Sequence, residues 1–489
     1  MNRELKRISA LVIAMFAALF VASSIIQVFQ SDALAADARN QRARADQYAI
    51  QRGQILTSDG KAIVTSPKSK DTFQFDRKYA NGRLYSAVTG YYNPIGQATG
   101  IEGAMNAQLA GTSSTQLFDR FQNVVTGKDP KGASVQLTID RAVQKAAYDA
   151  LGDKQGAVVA LDPKTGAVLA MVSKPSFDPN AIADHATGVQ AYDALSKRSV
   201  NPLDNRAIAG KTNHPGSTFK IISASAALES GRYKPSSTFP SPNSYRLPGT
   251  DTIIQNADGE NCGSQPRASI ALALSLSCNI PFAQLGIKLG DDALRTQADD
   301  FGFDKPLSIP LKVTPSRYRA PNEDGSPIDA SNTAQSAFGQ DEDYATPMQM
   351  AMVAAAIGNG GTLMKPDLVQ KVLSPSLETE DRMNPEVLGN PVSKDTADAV
   401  KAMMVSSVAE GAATNARIDG VTVAGKTGTA QNGIGQPYTL WFTGFAPADD
   451  PRVAVAVVVE NGGGIGQAGV GNTQAAPVAR QVMEAVLNR

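Results

Sequence analysis

The sequence predicts an α+β fold: an antiparallel sheet with helices on both faces and a helical subdomain. A transmembrane helix and a small irregular module precede it. Three observations carry this expectation. Strand-like runs come first, a largely helical block follows, and strands return before a closing helix, so the alternation that builds a parallel sheet is missing. Residues 8–29 (ISALVIAMFAALFVASSIIQVF) hold no charge and are long enough to cross a bilayer. Residues 52–133 are dense in turn signals and make a unit smaller than most enzymatic domains. The expected boundaries are 1–30 for a cytoplasmic tail and anchor, 31–134 for a stalk and membrane-proximal pedestal module, and 135–489 for the main domain.

The elements follow in order. Arg3, Lys6 and Arg7 flank the apolar run, so the short tail is expected in the cytoplasm and the rest outside. A cleaved signal peptide is the competing reading, with Ala33-Leu34-Ala35 in small-x-small form. The run exceeds the usual signal length, which favours an uncleaved anchor. Residues 31–51 are polar and charged, as in a stalk, and the module after them turns at Ser58-Asp59-Gly60, Asn81-Gly82 and Asn93-Pro94. At Val135 the texture changes. VQLTID reads as a strand, with Asp140 as N-cap of the helix RAVQKAAYDAL. GAVVALD, the turn Pro163-Lys164-Thr165-Gly166 and AVLAMVS read as a hairpin. Residues 190–360 read as largely helical, most clearly where Thr346-Pro347 opens MQMAMVAAAIG. VTVAGKTGTAQ, TLWFTGFAPA and RVAVAVVVEN are strands, and a helix runs from near Pro477 to Leu487.

Composition excludes several functions. Lys plus Arg and Asp plus Glu each total 46, so nothing argues for nucleic acid. Two histidines and two cysteines leave no basis for a His- or Cys-rich metal site. Gly464-Ile-Gly466-Gln-Ala-Gly469 matches a dinucleotide fingerprint, but the stretch after it has no room for the full βαβ unit that the fingerprint needs; a glycine-rich turn is expected. No metal and no cofactor is expected. Cys262 and Cys278 both lie in the exported part, where a disulfide is permitted. It would close a loop of about 15 residues, worth about 3 kcal/mol; two free thiols are the alternative.

Three short motifs carry chemistry. Ser217-Thr218-Phe219-Lys220, within HPGSTFK, opens a helix after a Pro-Gly turn. Residues three apart share a helix face, which sets Lys220 beside Ser217. The helix N-terminus and burial would lower the lysine pKa and make it a base. His214 is the rival base, but Pro215-Gly216 separates it from that face. Ser277-Cys278-Asn279 follows the apolar helix ASIALALSL, and Lys426-Thr427-Gly428-Thr429 ends a strand. Together, in this order, they form the S-x-x-K, S-x-N and K-T-G set.

On these motifs the chain resembles the class B penicillin-binding proteins, which carry a transpeptidase and no glycosyltransferase. Arg52-Gly53-Gln54-Ile55 is similar to the family's R-G-x-I motif, and LTID, ALDPKTGAVLAMVS, Asn205-Arg206-Ala207, FGQDEDYATPMQMAMVAAAIGNGG, WFTGFAPA and AAPVA extend the match. Departures are His214 before the Pro-Gly, Cys278 inside the triplet and the lack of an R-N-G ending after R-G-x-I. The resemblance implies the serine β-lactamase and penicillin-binding transpeptidase fold. It implies attack by Ser217 on a D-Ala-D-Ala stem peptide of peptidoglycan, release of D-alanine and transfer of the acyl group to an amine. It assigns Lys220 as base, Ser277 as proton relay with Lys426 across the cleft, and Asn279 as partner of the substrate amide. Backbone N–H groups of Ser217 and Thr429 would form the oxyanion hole. Lys426, Thr427 and Thr429 would take the terminal carboxylate, and Gly428 would admit the substrate strand. Partners implied are peptidoglycan stem peptides, β-lactam antibiotics, the cytoplasmic membrane, and a polytopic glycan polymerase of the division or elongation machinery. A D,D-carboxypeptidase, a β-lactamase of the same fold or a non-turnover β-lactam sensor are the alternatives.

Overall fold

The computed structural model describes residues 2–29, 50–71, 73–93, 96–113, 131–210, 212–256, 259–322, 325–326 and 328–488. The expected stalk and the Ala33-Leu34-Ala35 site fall almost wholly outside these residues. Helix α1 (Asn2–Phe29) contains the apolar stretch Leu5–Ile26, with mean hydropathy 2.4 and no burial. Its 22 residues rise about 33 Å, about the thickness of a bilayer core.

The module begins with β1 (Ile55–Leu56), β2 (Ala62–Thr65) and β3 (Lys78–Tyr79). Three further strands complete its sheet: β4 (Ser134–Leu137), and the later pair β7 (Val369–Leu373) and β8 (Thr379–Arg382). The order is β8-β7-β4-β1-β2-β3, with β1 parallel to β4 and every other pair antiparallel. The sheet therefore crosses the boundary expected at 134/135.

The R-G-x-I motif anchors this module. Arg52 donates to the Glu102 carboxylate (2.7 Å), the Glu102 carbonyl (2.7 Å) and Asn106 Oδ1 (2.7 Å), and its guanidinium lies 4.2 Å from the centre of the Tyr92 ring. Arg77 donates to the other Glu102 oxygen at 2.6 Å, and Tyr79 OH donates to it at 3.1 Å. Arg52, Arg77, Tyr79, Tyr92 and Glu102 are all buried. Burial pushes the Glu102 carboxyl up, but Arg77 and Arg52 outweigh it and hold the group below its ordinary value. Gly53 has no room for a side chain: a Cβ would meet the Ala133 carbonyl oxygen at 1.8 Å.

The larger half is built on β5 (Gly156–Leu161), β6 (Val168–Lys174), β9 (Ala424–Ala430), β10 (Thr439–Ala446) and β11 (Val453–Val459). They form one antiparallel sheet in the order β9-β10-β11-β5-β6. Every residue of β10 and β11 is buried, because helices cover both faces. Val455, Val457 and Val459 pack with α2 (Arg141–Leu151) and the C-terminal helix α6 (Ala476–Leu487). Ala454, Ala456 and Val458 share a core with α5 (Pro347–Gly358). This is the two-residue strand period expressed as two cores. Asp140 caps α2 by accepting from Ala142 N and Val143 N, and Thr346 caps α5 by accepting from Gln349 N. The stretch 190–360 is less helical than expected: short two-stranded pieces such as Thr238–Pro240 with Arg267–Ser269 interrupt it. The glycines at 462, 463, 464 and 466 lie in short turns with positive φ, so the fingerprint-like stretch is a turn.

Candidate active site

Three segments converge on one cleft. The first is the nucleophile turn. Gly216, at φ 54°, opens a 3-10 turn (Gly216–Phe219) that runs directly into α3 (Lys220–Glu229). The turn is tied down by Gly216 N donating to Gly339 O (2.8 Å) and Thr218 Oγ1 donating to Pro215 O (2.7 Å). In a 3-10 turn residues i and i+3 eclipse. Lys220 consequently stands beside Ser217, with Nζ 2.9 Å from Oγ.

The second segment is the S-x-N turn between Ile270–Ser275 and α4 (Asn279–Leu289). Ser277 sits in the left-handed region at φ 65°, a conformation that costs an ordinary residue about 1–2 kcal/mol. The turn presents the Ser277 carbonyl to one lysine and the hydroxyl to another. Lys220 Nζ donates to Ser277 O at 2.7 Å and to Asn279 Oδ1 at 2.7 Å. Lys426 Nζ donates to Ser277 Oγ at 2.6 Å and to Thr427 O at 2.8 Å. Asn279 is oriented in turn: its Nδ2 donates to Gln255 O, and its backbone N–H donates to Asn256 Oδ1, both at 2.9 Å. Cys278 points away from the cleft into a disulfide with Cys262.

The third segment is β9, an edge strand of the central sheet. Thr429 reaches the cleft, together with Ser217 and Asn279. Thr427 does not line it; its hydroxyl donates to Ala412 O at 3.1 Å. Gly428 is explained by packing: a Cβ would meet Pro215 O at 2.9 Å and Trp441 Cβ at 3.1 Å. The glycine brings β9 against the nucleophile turn, which differs from the expected role of admitting substrate.

Lys220 and Lys426 are both fully buried, and no carboxylate is among their hydrogen-bond partners. Burial, reinforced by the charge of Lys426, pushes the Lys220 amine well below the ordinary lysine range. Burial alone lowers Lys426 to about 7. Above them opens a cleft of about 580 Å³.

His214 is turned out of this arrangement. Its ring stacks on Tyr344, with centroids 4.5 Å apart, and Nδ1 lies 2.9 Å from Asp343 O. A carbonyl only accepts, so Nδ1 carries the proton. Its own carbonyl accepts from Trp441 Nε1 at 2.9 Å. Sequence reasoning missed Gln255, Asn256, Asp343, Tyr344 and Trp441. Only the last three lie in segments that the motif comparison had singled out. Away from the cleft, Asp71, Asp76 and His185 bring their ligand atoms within 4.8 Å of one another, with His185 Nδ1 hydrogen-bonded to Asp71 at 2.6 Å.

Comparison with known proteins agrees with this geometry. Residues 156–484 match the penicillin binding protein transpeptidase domain, and residues 52–135 match the penicillin binding protein A dimerisation domain. The chain is 39% identical over 498 residues to the peptidoglycan D,D-transpeptidase PbpA of Mycolicibacterium smegmatis, covering 100% of this chain and 99% of that protein. The ceftriaxone acyl-enzyme complex of penicillin-binding protein A from M. tuberculosis matches with TM-score 0.85 at 38% identity, over 91% of this chain and 100% of that one. A D,D-transpeptidase domain of a peptidoglycan glycosyltransferase from Eggerthella lenta matches with TM-score 0.77 at 34% identity, over 90% and 99%. An end-to-end relative and a domain match spanning most of the chain leave one assignment: the chain belongs to the penicillin-binding protein transpeptidase family, and within it resembles penicillin-binding protein A of actinobacteria.

Proposed function

We propose that the protein is a peptidoglycan D,D-transpeptidase that works through an acyl-enzyme on Ser217. One observation carries the reading: the hydrogen-bond inventory of Lys220. A neutral amine has two N–H bonds and one lone pair. The Ser277 carbonyl and Asn279 Oδ1 accept both N–H bonds, and the lone pair is left facing Ser217 Oγ. Burial without a carboxylate keeps the amine neutral. Lys220 therefore takes the hydroxyl proton as Oγ bonds to the carbonyl carbon of the penultimate D-alanine. The C–N bond then breaks, and the leaving nitrogen takes a proton relayed through Ser277 from the lysine pair. An amine of a second stem attacks the ester, and Ser217 regains its proton.

The edge of β9 can pair with an extended peptide as an added strand, with Thr429 N and Ser217 N as oxyanion donors. Lys426 and Thr429 take the terminal carboxylate. Thr427, whose hydroxyl is committed to Ala412, acts through its backbone. The apolar helix and its basic flank support a single-pass anchor with the catalytic domain outside the membrane, and the disulfide suits an oxidising exterior. A glycan polymerase is the partner we assign to the membrane-proximal module. The test is mass spectrometry of the full-length chain in detergent after penicillin treatment. A stable adduct on Ser217 is expected; rapid drug hydrolysis with no adduct points to a β-lactamase.

A further inference from the structure

Helix α4 begins with Asn279 of the S-x-N triplet and has no cap of its own. Cys278 stands at its N-cap, makes no side-chain cap bond, and has its sulfur committed to the disulfide with Cys262. The first N–H groups of a helix find no partner within it. Asn256, from a segment distant in sequence, supplies one. Its Oδ1 accepts from Asn279 N at 2.9 Å and from Ile280 N at 3.1 Å, and its Nδ2 donates to Glu260 O at 2.9 Å. Asn256 and Ile280 are buried, so water would not replace a bond lost here.

The same segment decides which way the Asn279 carboxamide points. Its Nδ2 donates to Gln255 O at 2.9 Å. A carbonyl only accepts, so Nδ2 is held towards Gln255 and Oδ1 towards Lys220, 2.7 Å from Nζ. The reverse orientation would aim an N–H at Lys220, occupy the amine's lone pair and leave Ser217 without its base. The terminal torsion of asparagine is broad and nearly two-fold, so the side chain itself does not select between the two. We infer that Asn256 is a positioning residue for the reaction. By capping α4 from outside the helix it clamps residues 255–256 against Asn279, and this sets the direction of the Asn279 amide and, through it, of the Lys220 lone pair. Gln255 contributes its backbone carbonyl, so Asn256 is the side chain on which the arrangement depends. The inference rests on the reading of Ser217 as acylated nucleophile and Lys220 as its base.

The test uses the full-length chain in detergent and the second-order rate of Ser217 acylation by a fluorescent penicillin. The rate is taken on the plateau of its pH profile and corrected for the folded fraction. Asn256→Ala should slow acylation by about 10- to 100-fold, the range in which a misplaced catalytic group is felt. Asn279→Ala should slow it at least as much. Added to Asn279→Ala, Asn256→Ala should cost less than about threefold more, because residues that act as one unit are not additive. Asn256→Asp keeps an acceptor for both N–H groups and should stay within about threefold of the parent; it carries the test if the alanine variant does not fold. Three results overturn the inference and leave the Ser217 acyl-enzyme in place. They are an unchanged rate in Asn256→Ala, equal slowing by Asn256→Ala with and without Asn279, and a folded Asn256→Asp that acylates about tenfold slower or worse. A parent chain that hydrolyses penicillin and keeps no adduct on Ser217 overturns the transpeptidase reading instead.

Discussion

The protein buries two pairs of cationic side chains, and their fates are opposite. In the membrane-proximal module, Arg52 and Arg77 clasp Glu102. In the cleft, Lys220 and Lys426 share only neutral oxygens. A carboxylate between two guanidiniums holds all three groups ionised, and the cluster becomes a strut. Two amines without a carboxylate are driven towards neutrality, and one of them becomes a base. The residue type supports the division, because arginine does not lose its proton in proteins while buried lysine readily does.

Four predictions bear on that contrast, the largest effect first. Lys220→Arg puts a permanently protonated guanidinium in place of the neutral amine and so removes the base. Acylation of Ser217 by a fluorescent penicillin should slow by about 10³-fold, within the usual range for loss of a general base. An active Lys220→Arg enzyme would end the base assignment. Glu102→Gln leaves two buried guanidiniums uncompensated. Denaturant titration should show a loss of about 3–5 kcal/mol, while the acylation rate of the folded fraction stays unchanged.

The pH dependence separates the two networks further. For Lys426 the folded pKa is about 7 and the ordinary value 10.5. The unfolded chain binds the extra proton between these values, so stability rises with pH across that window and is flat in this term below it. Glu102 acts with the same sign in a lower window: its contribution is full above the ordinary 4.5 and is lost as pH falls through its depressed native value. Unfolding free energy measured against pH should lose part of its alkaline slope in Lys426→Met, with Lys220 supplying the rest, and part of its acid slope in Glu102→Gln. The smallest effect concerns the nucleophile turn. His214→Ala removes one hydrogen bond and a stacking face, and should slow acylation by about tenfold, equal to about 1.4 kcal/mol. His214→Asn, whose Nδ2 can replace Nδ1 as donor, should recover most of the rate; a histidine acting as base would gain nothing from that substitution.

What could be read from the sequence was local. The S-x-x-K spacing placed Lys220 beside Ser217 because one turn of helix suffices, and the order of strands, helical block and returning strands announced an antiparallel sheet with helices on its faces. Asp140 and Thr346 were legible as caps for the same reason. Partners from distant segments were not. Val135 pairs with Ile55 on one side and Val372 on the other, so a boundary drawn by texture at 134/135 cut through a sheet. The carboxylate that Arg52 needs lies 50 residues away. Thr427 illustrates a finer limit: the motif names the residue, but only packing against Ala412 decides where its hydroxyl goes. The glutamines that line the cleft, Gln255, Gln335, Gln340, Gln431 and Gln467, come from four segments that only the fold brings together.

The shared sheet has a mechanical consequence. Strand β4 is gripped on one edge by the module and on the other by a hairpin of the catalytic half, so no hinge separates the two halves at that point. A pull transmitted along the chain into Ile55 loads the β1–β4 pair in shear, with its hydrogen bonds sharing the force, instead of peeling them one at a time. From the module upward the molecule holds its length, so the reactive serine is carried at a set distance from the start of the shared sheet.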